Sequence, residues 1–205
     1  MLSRPTVVVL AAGKGSRFKG STHKLEQALG DLSVLGSTLR NAVQSHLPVL
    51  VVTTDALAAD AARLVAAHDV LVVPQAGGEF GMGDSIAAGV AARADSPGWL
   101  LLPADMPLVQ PATLLAVAAA LEDHAVAYAE HHGRRGHPVG FSAELYSELM
   151  RLTGDEGARR IVARYPGVGV DVDDPGVLVD VDTEADLAAL RTLHTQLGAQ
   201  PGAGK

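Results

Sequence analysis

Between Leu10 and Leu25 the chain reads LAAGKGSRFKGSTHKL, directly behind the apolar run TVVVL. Small residues and positive charge at the end of a strand suit one ligand class. Glycine leaves room for backbone N–H groups to approach a phosphate, and Arg and Lys side chains balance its charge. Two familiar phosphate loops fail here. A G-x-G-x-x-G dinucleotide loop begins with Gly13 and Gly15 but has Phe18 in place of its third glycine. A G-x-x-x-x-G-K-[ST] loop finds Gly15 and Gly20, then Ser21 where the lysine must stand. The pattern that does fit is L-A-A-G-x-G-x-R with a later lysine, carried by Leu10, Ala11, Ala12, Gly13, Gly15, Arg17 and Lys24. Arg17 can grip a phosphate in a bidentate way, and Lys24 can act as a point charge.

Five further stretches carry chemistry. In GGEFGMGDSIAAGV, Gly81, Met82, Gly83 and Ser85 precede an alanine-rich helix whose N-terminus and backbone amides can face a ligand. In LLLPADMPLV, an apolar strand ends at Ala104 and presents Asp105, a hard oxygen ligand placed to hold a cation that bridges phosphate oxygens. GRRGHPVGF and LTGDEGARRIV supply turns around Gly136, His137 and Pro138 and around Asp155 and Arg159, with Asp155 as a candidate helix cap. In LVDVDTEADLAAL, Asp180 and Asp182 sit two apart on an expected strand and so share a face. His131 and His132 are adjacent in an expected strand, point to opposite faces, and read as surface or packing residues, not joint ligands.

The elements that must position these residues alternate. Apolar runs at 6–11, 49–53, 70–74 and 99–104 lack a period of two, as expected of strands covered on both faces. Helical spacing appears at 35–46, 56–67, 84–94 and 113–124. The alternation predicts an α/β fold of three α/β/α layers around a mostly parallel, doubly wound, Rossmann-like sheet, with ligands beyond the carboxyl ends of the strands. Further on, AVAYAEH, HPVGFS, GVGVDV and GVLVDVD read as strands, and 143–152 and 156–165 as helices. A last helix runs from Thr183, its N-cap, to about Leu197. The expectation is one domain over residues 1–197 and an unstructured tail over 198–205.

Composition narrows the function. A net charge of −7 argues against nucleic acid as a partner, and the lack of cysteine excludes disulfides, thiolate metal sites and cysteine nucleophiles. Alanine-rich Leu114–Leu121 is too short to cross a bilayer, and the N-terminus lacks the pattern of a signal peptide, so a cytoplasmic protein is expected.

Taken in order, these motifs resemble those of the molybdenum cofactor cytidylyltransferase-like (MobA-like) nucleotidyltransferases, over about residues 6–192. The resemblance implies the nucleotide-diphospho-sugar transferase type of fold. It implies that the glycine loop, Arg17 and Lys24 wrap a nucleoside triphosphate, and that G-M-G-x-S at 81–85 contacts its base. Mg2+ would be held by Asp105, in the family's A-D-M-P motif, with Asp182 as second ligand and Asp180 behind it. Gly136, His137, Pro138, Asp155 and Arg159 would line the acceptor side. The implied reaction is CMP transfer from CTP to a phosphorylated acceptor, molybdopterin first, with release of pyrophosphate and a molybdenum hydroxylase apoenzyme as a further partner. LAAG at 10–13, in place of the guanylyl branch's LAGG, points to the cytidylyl branch, and Asp84 departs from the family's small residue. Open alternatives are GTP as donor, another phosphate acceptor, a non-catalytic carrier of finished cofactor, or an oxidoreductase on the same scaffold. The broken dinucleotide motif speaks against the last.

Overall fold

The computed structural model describes residues 4–15, 18, 23–74 and 80–198, with side chains to residue 192. Four β-branched or leucine-rich runs form a parallel core: β1 (Thr6–Ala11), β4 (Val49–Thr53), β5 (Val70–Val72) and β6 (Gly98–Pro103). β7 (Val126–His131), β8 (Arg134–Ser142) and β9 (Gly167–Asp171) extend the sheet to seven strands in the order β5-β4-β1-β6-β8-β7-β9. β8 runs antiparallel to both its neighbours and β9 parallel to β7, so the sheet is mostly parallel. A short hairpin of β2 (Ala28–Leu29) and β3 (Leu32–Ser33) stands apart from it.

Side-chain alternation along the buried strands creates two cores. Val7 and Val9 face one cluster, which takes in apolar residues of α1 (Val34–Gln44), α2 (Asp55–Ala61), α4 (Pro111–Ala120) and α7 (Glu184–Gly198). Val8 and Leu10 face the other, with Ile86 and Val90 of α3 (Met82–Ala91), Leu149 of α5 (Tyr146–Leu149) and Ile161 of α6 (Arg159–Arg164). Burial on both faces explains why the strands show no period of two. The three-layer α/β/α expectation holds.

Several sequence expectations need correction. GVLVDVD is not a strand: Pro175–Leu178 is a 3-10 turn, entered at Asp174, whose carboxylate accepts the Gly176 N–H at 3.0 Å. Proline at the first turn position and an Asp cap outweigh the β-branched residues that follow. The helix expected at 156–165 begins only at Arg159, so Asp155 lies in a separate 3-10 turn (Gly154–Glu156) and does not cap it. His131 ends β7, while His132 has a φ of 50° in the turn to β8. Leaving the strand swings its ring to within 4.1 Å of the His131 ring, so the two do not face opposite sides. Thr183 does cap the last helix, its hydroxyl accepting the Asp186 N–H at 3.2 Å. That helix includes Gly198, and the remainder of the expected tail lies outside the described residues.

Helix α3 reaches the sheet through Gly89. A Cβ there would stand 2.7 Å from Val8 Cγ1 and 2.9 Å from Val52 Cγ2, too close without a shift of the helix. Gly89→Val is therefore expected to cost about 1–3 kcal/mol of stability through overpacking, seen as a lowered urea midpoint at unchanged slope.

Candidate active site at the carboxyl edge of the sheet

β6 delivers Asp105 two residues past its end, and the loop that carries it is tied down on three sides. The Ala104 N–H extends the pairing onto β1 by donating to the Leu10 carbonyl at 3.1 Å. From α1, the Thr38 hydroxyl donates to the Ala104 carbonyl at 2.8 Å, and the Asn41 amide to the Pro107 carbonyl at 3.0 Å. Finally, the Val181 N–H donates to the Asp105 carbonyl at 2.9 Å. This last bond fixes the segment after the 3-10 turn, so that Asp180 and Asp182, flanking Val181, both turn to Asp105. Carboxylate oxygens of Asp105, Asp180 and Asp182 all lie within 4.8 Å of one another. The shared face expected of 180 and 182 is thus present, although no strand makes it.

Lys24 answers this concentration of negative charge. Its ammonium donates to Asp105 Oδ2 at 2.6 Å and to Asp182 Oδ1 at 3.2 Å. Burial works against the charge, but Asp105, by field and hydrogen bond, and then Asp182 outweigh it and raise the ammonium above the ordinary lysine range. Partial loss of water, followed by the charges of Asp182 and Asp105, raises the Asp180 carboxyl above its usual value. Asp105 Oδ1 is buried and has no hydrogen-bond partner among the described residues. An orphaned carboxylate oxygen inside an all-oxygen acidic triad is what a hard divalent cation requires, so the residues fit such a metal.

Lys24 opens a 3-10 turn (Lys24–Glu26) that His23 builds. His23 Nδ1 accepts the Leu25 N–H at 3.3 Å, and Glu26 Oε2 accepts the His23 N–H at 3.1 Å. With Nδ1 used as acceptor, Nε2–H is left to donate to the Gly13 carbonyl at 3.2 Å, clasping the glycine loop to the lysine turn. Nothing in the loop motif pointed to His23. Gly15 has a φ of +60°, and a Cβ there would stand 3.3 Å from Lys24 Cγ, so the loop rests on the lysine stem. A Cβ at Gly13 would meet no atom of the described residues within 4 Å. Leu10, Ala11 and Ala12 are buried at the end of β1. Arg17 lies outside the described residues.

On the second core's side, Gly81 caps α3, Met82 is 41% exposed at its start, and the buried Ser85 hydroxyl donates to the Gly81 carbonyl at 3.2 Å. Gly136 and Pro138 are buried on β8, and Gly136 lies against the Val177 carbonyl of the 3-10 turn. Among the expected acceptor residues, His137 does approach the triad. Burial pushes its imidazole below the ordinary value; the field of Asp105 opposes this and that of Arg159 adds to it. The shift keeps His137 neutral near pH 7. Asp155 and Arg159 are exposed.

The comparisons agree with this geometry. Residues 7–169 match the MobA-like NTP transferase domain. The chain belongs to that family. It is 33% identical over 161 residues to a phosphoenolpyruvate guanylyltransferase of Nocardia farcinica, covering 76% of this chain and 70% of that one. Over 126 residues it is 35% identical to the bifunctional protein GlmU of Micrococcus luteus, a match that takes in 57% of this chain and only 25% of that longer protein. Among solved structures, Rv0371c of Mycobacterium tuberculosis in complex with manganese superposes with a TM-score of 0.75 at 29% identity, covering 94% of this chain and all of that one, 100%. The acidic triad at this edge supplies the oxygen ligands that suit a divalent metal ion. Among the described residues no helix is long and apolar enough to cross a membrane.

Replacing the central carboxylate tests the triad directly. Asp105→Asn is expected to keep its far-UV circular dichroism and to bind Mn2+ at least about tenfold more weakly in calorimetric titration, because the neutral amide no longer attracts a hard cation.

Proposed function

We propose that the protein is a nucleotidyltransferase that uses Mg2+ and transfers CMP from CTP to a phosphorylated acceptor, molybdopterin being the first candidate. The observation that carries the reaction class is the meeting of Lys24 with Asp105, Asp180 and Asp182 beside a glycine loop at one end of β1 and β6. In the reaction an acceptor phosphate oxygen bonds to the α-phosphorus of the nucleotide, the bond to the β-phosphate oxygen breaks, and pyrophosphate leaves.

Alignment and charge do most of the work in such a transfer. The backbone of Gly13 and Gly15 offers N–H groups to the triphosphate, and the open space beside Gly13 suits a close approach. Lys24, held between the loop and the carboxylates, brings positive charge to the same place. Arg17 adds a forked donor on the loop. Asp105 and Asp182, with Asp180 beside them, would hold a divalent cation, which would supply positive charge against the departing pyrophosphate. An acceptor phosphate is already ionised near neutral pH, so no general base is required. Neutral His137, which feels the charges of both Asp105 and Arg159, can donate a hydrogen bond to an incoming phosphate without adding charge. A cytoplasmic enzyme of one domain, acting upstream of a molybdenum hydroxylase, fits this reading.

A second reading has its own support. Likeness to a phosphoenolpyruvate guanylyltransferase favours GTP as donor and a small phosphorylated acid as acceptor. The Gly81–Ser85 segment decides between them, because a pocket shaped for cytosine excludes guanine and leaves polar groups unmatched against it.

Pyrophosphate release from CTP or GTP with Mg2+, against molybdopterin and phosphoenolpyruvate in turn, tests both readings. Cytidylyl product in excess from an equal mixture is expected; guanylyl product in excess overturns the base assignment and leaves the reaction class. Lys24→Ala and Arg17→Ala are each expected to slow transfer on the order of 10²-fold, as when one transition-state charge donor is removed. A silent Lys24→Ala alongside a severe Lys14→Ala or Lys19→Ala would move the phosphate lysine elsewhere in the loop.

A further inference from the structure

Asp84 looks, on its position alone, like an ordinary cap in the first turn of α3. One oxygen does that job: Asp84 Oδ2 accepts the Gly81 N–H at 2.8 Å. The same oxygen also accepts the Gly154 N–H at 2.7 Å, from a segment 70 residues further along the chain. Around this shared oxygen two backbones meet without side chains between them. A Cβ at Gly83 would stand 2.8 Å from both the nitrogen and the carbonyl oxygen of Thr153. One at Gly81 would overlap the Gly154 carbonyl and lie 2.5 Å from Asp155 Oδ1. Gly154 and Gly157 both have a φ of +57°, which folds residues 154–157 back over the helix end, and Gly157 lies 3.8 Å from Met82 Cγ by its ideal Cβ. Glycines at 81 and 83 permit the approach, and Asp84 is the group that bonds it.

We infer that Asp84 is a positioning residue that locks the nucleotide-side loop, Gly81–Ser85, to the acceptor-side segment, Thr153–Arg159, so that the two move as one unit. The roles of those two segments rest on the function proposed above; the clasp itself does not. A carboxylate oxygen shared by two backbone amides makes charge-assisted bonds, each stronger than a neutral one. Asp84 Oδ2 is therefore engaged by the protein's own backbone. Through the clasp, closure of the 81–85 loop on a nucleotide is transmitted to the turn that carries Asp155 and leads into Arg159.

Hydrogen exchange on the full chain, read by mass spectrometry, tests this without any substrate. Asp84→Ala is expected to speed exchange about tenfold in both 81–85 and 153–157, since each segment loses one charge-assisted bond. Asp84→Asn keeps a carbonyl oxygen and is expected to recover most of the protection in both; if the alanine variant fails to fold, the asparagine variant decides by a smaller paired acceleration. Acceleration at 81–85 alone makes Asp84 a plain helix cap and overturns the inference, as does no acceleration at all. The second arm adds CTP or GTP with Mn2+. Nucleotide should slow exchange at both segments in the wild type, but only at 81–85 in Asp84→Ala, with transfer to 153–157 restored in Asp84→Asn. Protection confined to 81–85 in the wild type overturns the coupling. If the wild type binds neither nucleotide, the proposed function fails while the substrate-free arm still decides on Asp84.

Discussion

Three carboxylates within 4.8 Å of one another cannot stand unbalanced in a partly buried site. At that spacing each like-charged pair repels by about 3–4 kcal/mol for an effective dielectric near 20. The positive charge of Lys24 makes the arrangement tenable in the protein alone, and Lys24 comes from the segment directly after the glycine loop. The constraint thus runs backwards through the chain. The lysine must lie against Asp105, so its 3-10 turn must sit beside the end of β6. Its stem then forms the floor on which Gly15 rests, and His23 ties the turn to Gly13. The glycine loop takes its position from the electrostatics of the acidic triad.

Main-chain bonds, not the carboxylates themselves, bring the triad together. Asp105 and Val181 are joined through N–H and carbonyl, which places the side chains on either side of Val181 by backbone geometry alone. Behind them, the 3-10 turn is set against its surroundings by two glycines. Gly136 of β8 lies on the Val177 carbonyl, and Gly176 on the Leu108 carbonyl. Buried Asp174 accepts the Gln110 N–H at 2.8 Å and the Thr113 hydroxyl at 2.6 Å, fixing the start of α4 to the same turn. Gly136, expected on the acceptor side from its motif, has this packing role in the structure. A metal site depends on such supporting contacts as much as on its ligands, because they hold the ligand oxygens in place against their mutual repulsion.

What the sequence revealed was whatever repeats locally. The parallel strands were legible because burial on both faces leaves continuous β-branched runs. The glycine loop and Asp105 were legible because each follows such a run. The missing parts depend on partners far apart in the chain. Lys24 and Asp105 are 81 residues apart, and Asp84 and Gly154 are 70, so no local pattern announces either pair. The strand misread at 176–182 was a local error with a local signal: Asp-Pro-Gly at 174–176 is a turn sequence, and the following valines obscured it. The His131–His132 pair was misplaced for a related reason. Gly133 closes a tight turn, and His132 is already outside the strand, where alternation no longer applies.

The location of the site follows from the two cores. Each face of the sheet packs its own helices, and the sheet's carboxyl edge is where loops from both sides meet. α1, α4 and the start of α7 secure the acidic triad from one side: Thr38 and Asn41 hold the Asp105 loop, and Asp186 accepts the N–H groups of Asp182, at 3.2 Å, and Thr183, at 2.7 Å. α3 and the Thr153–Gly157 turn belong to the other side, joined through Asp84. Trp99 of β6 anchors that second side, its indole N–H donating to the Arg93 carbonyl at 3.0 Å and its ring lying 5.9 Å from that of Tyr146. β1, β4, β6 and β7 alternate side chains between the two cores, and the ends of β1 and β6 carry the glycine loop and Asp105. A change of packing in either core therefore reaches the site along one of two routes, to the triad or to the Gly81–Ser85 loop. β1 and β6 touch both cores and carry these residues at their ends, so their register sets the distance between the glycine loop and the acidic triad.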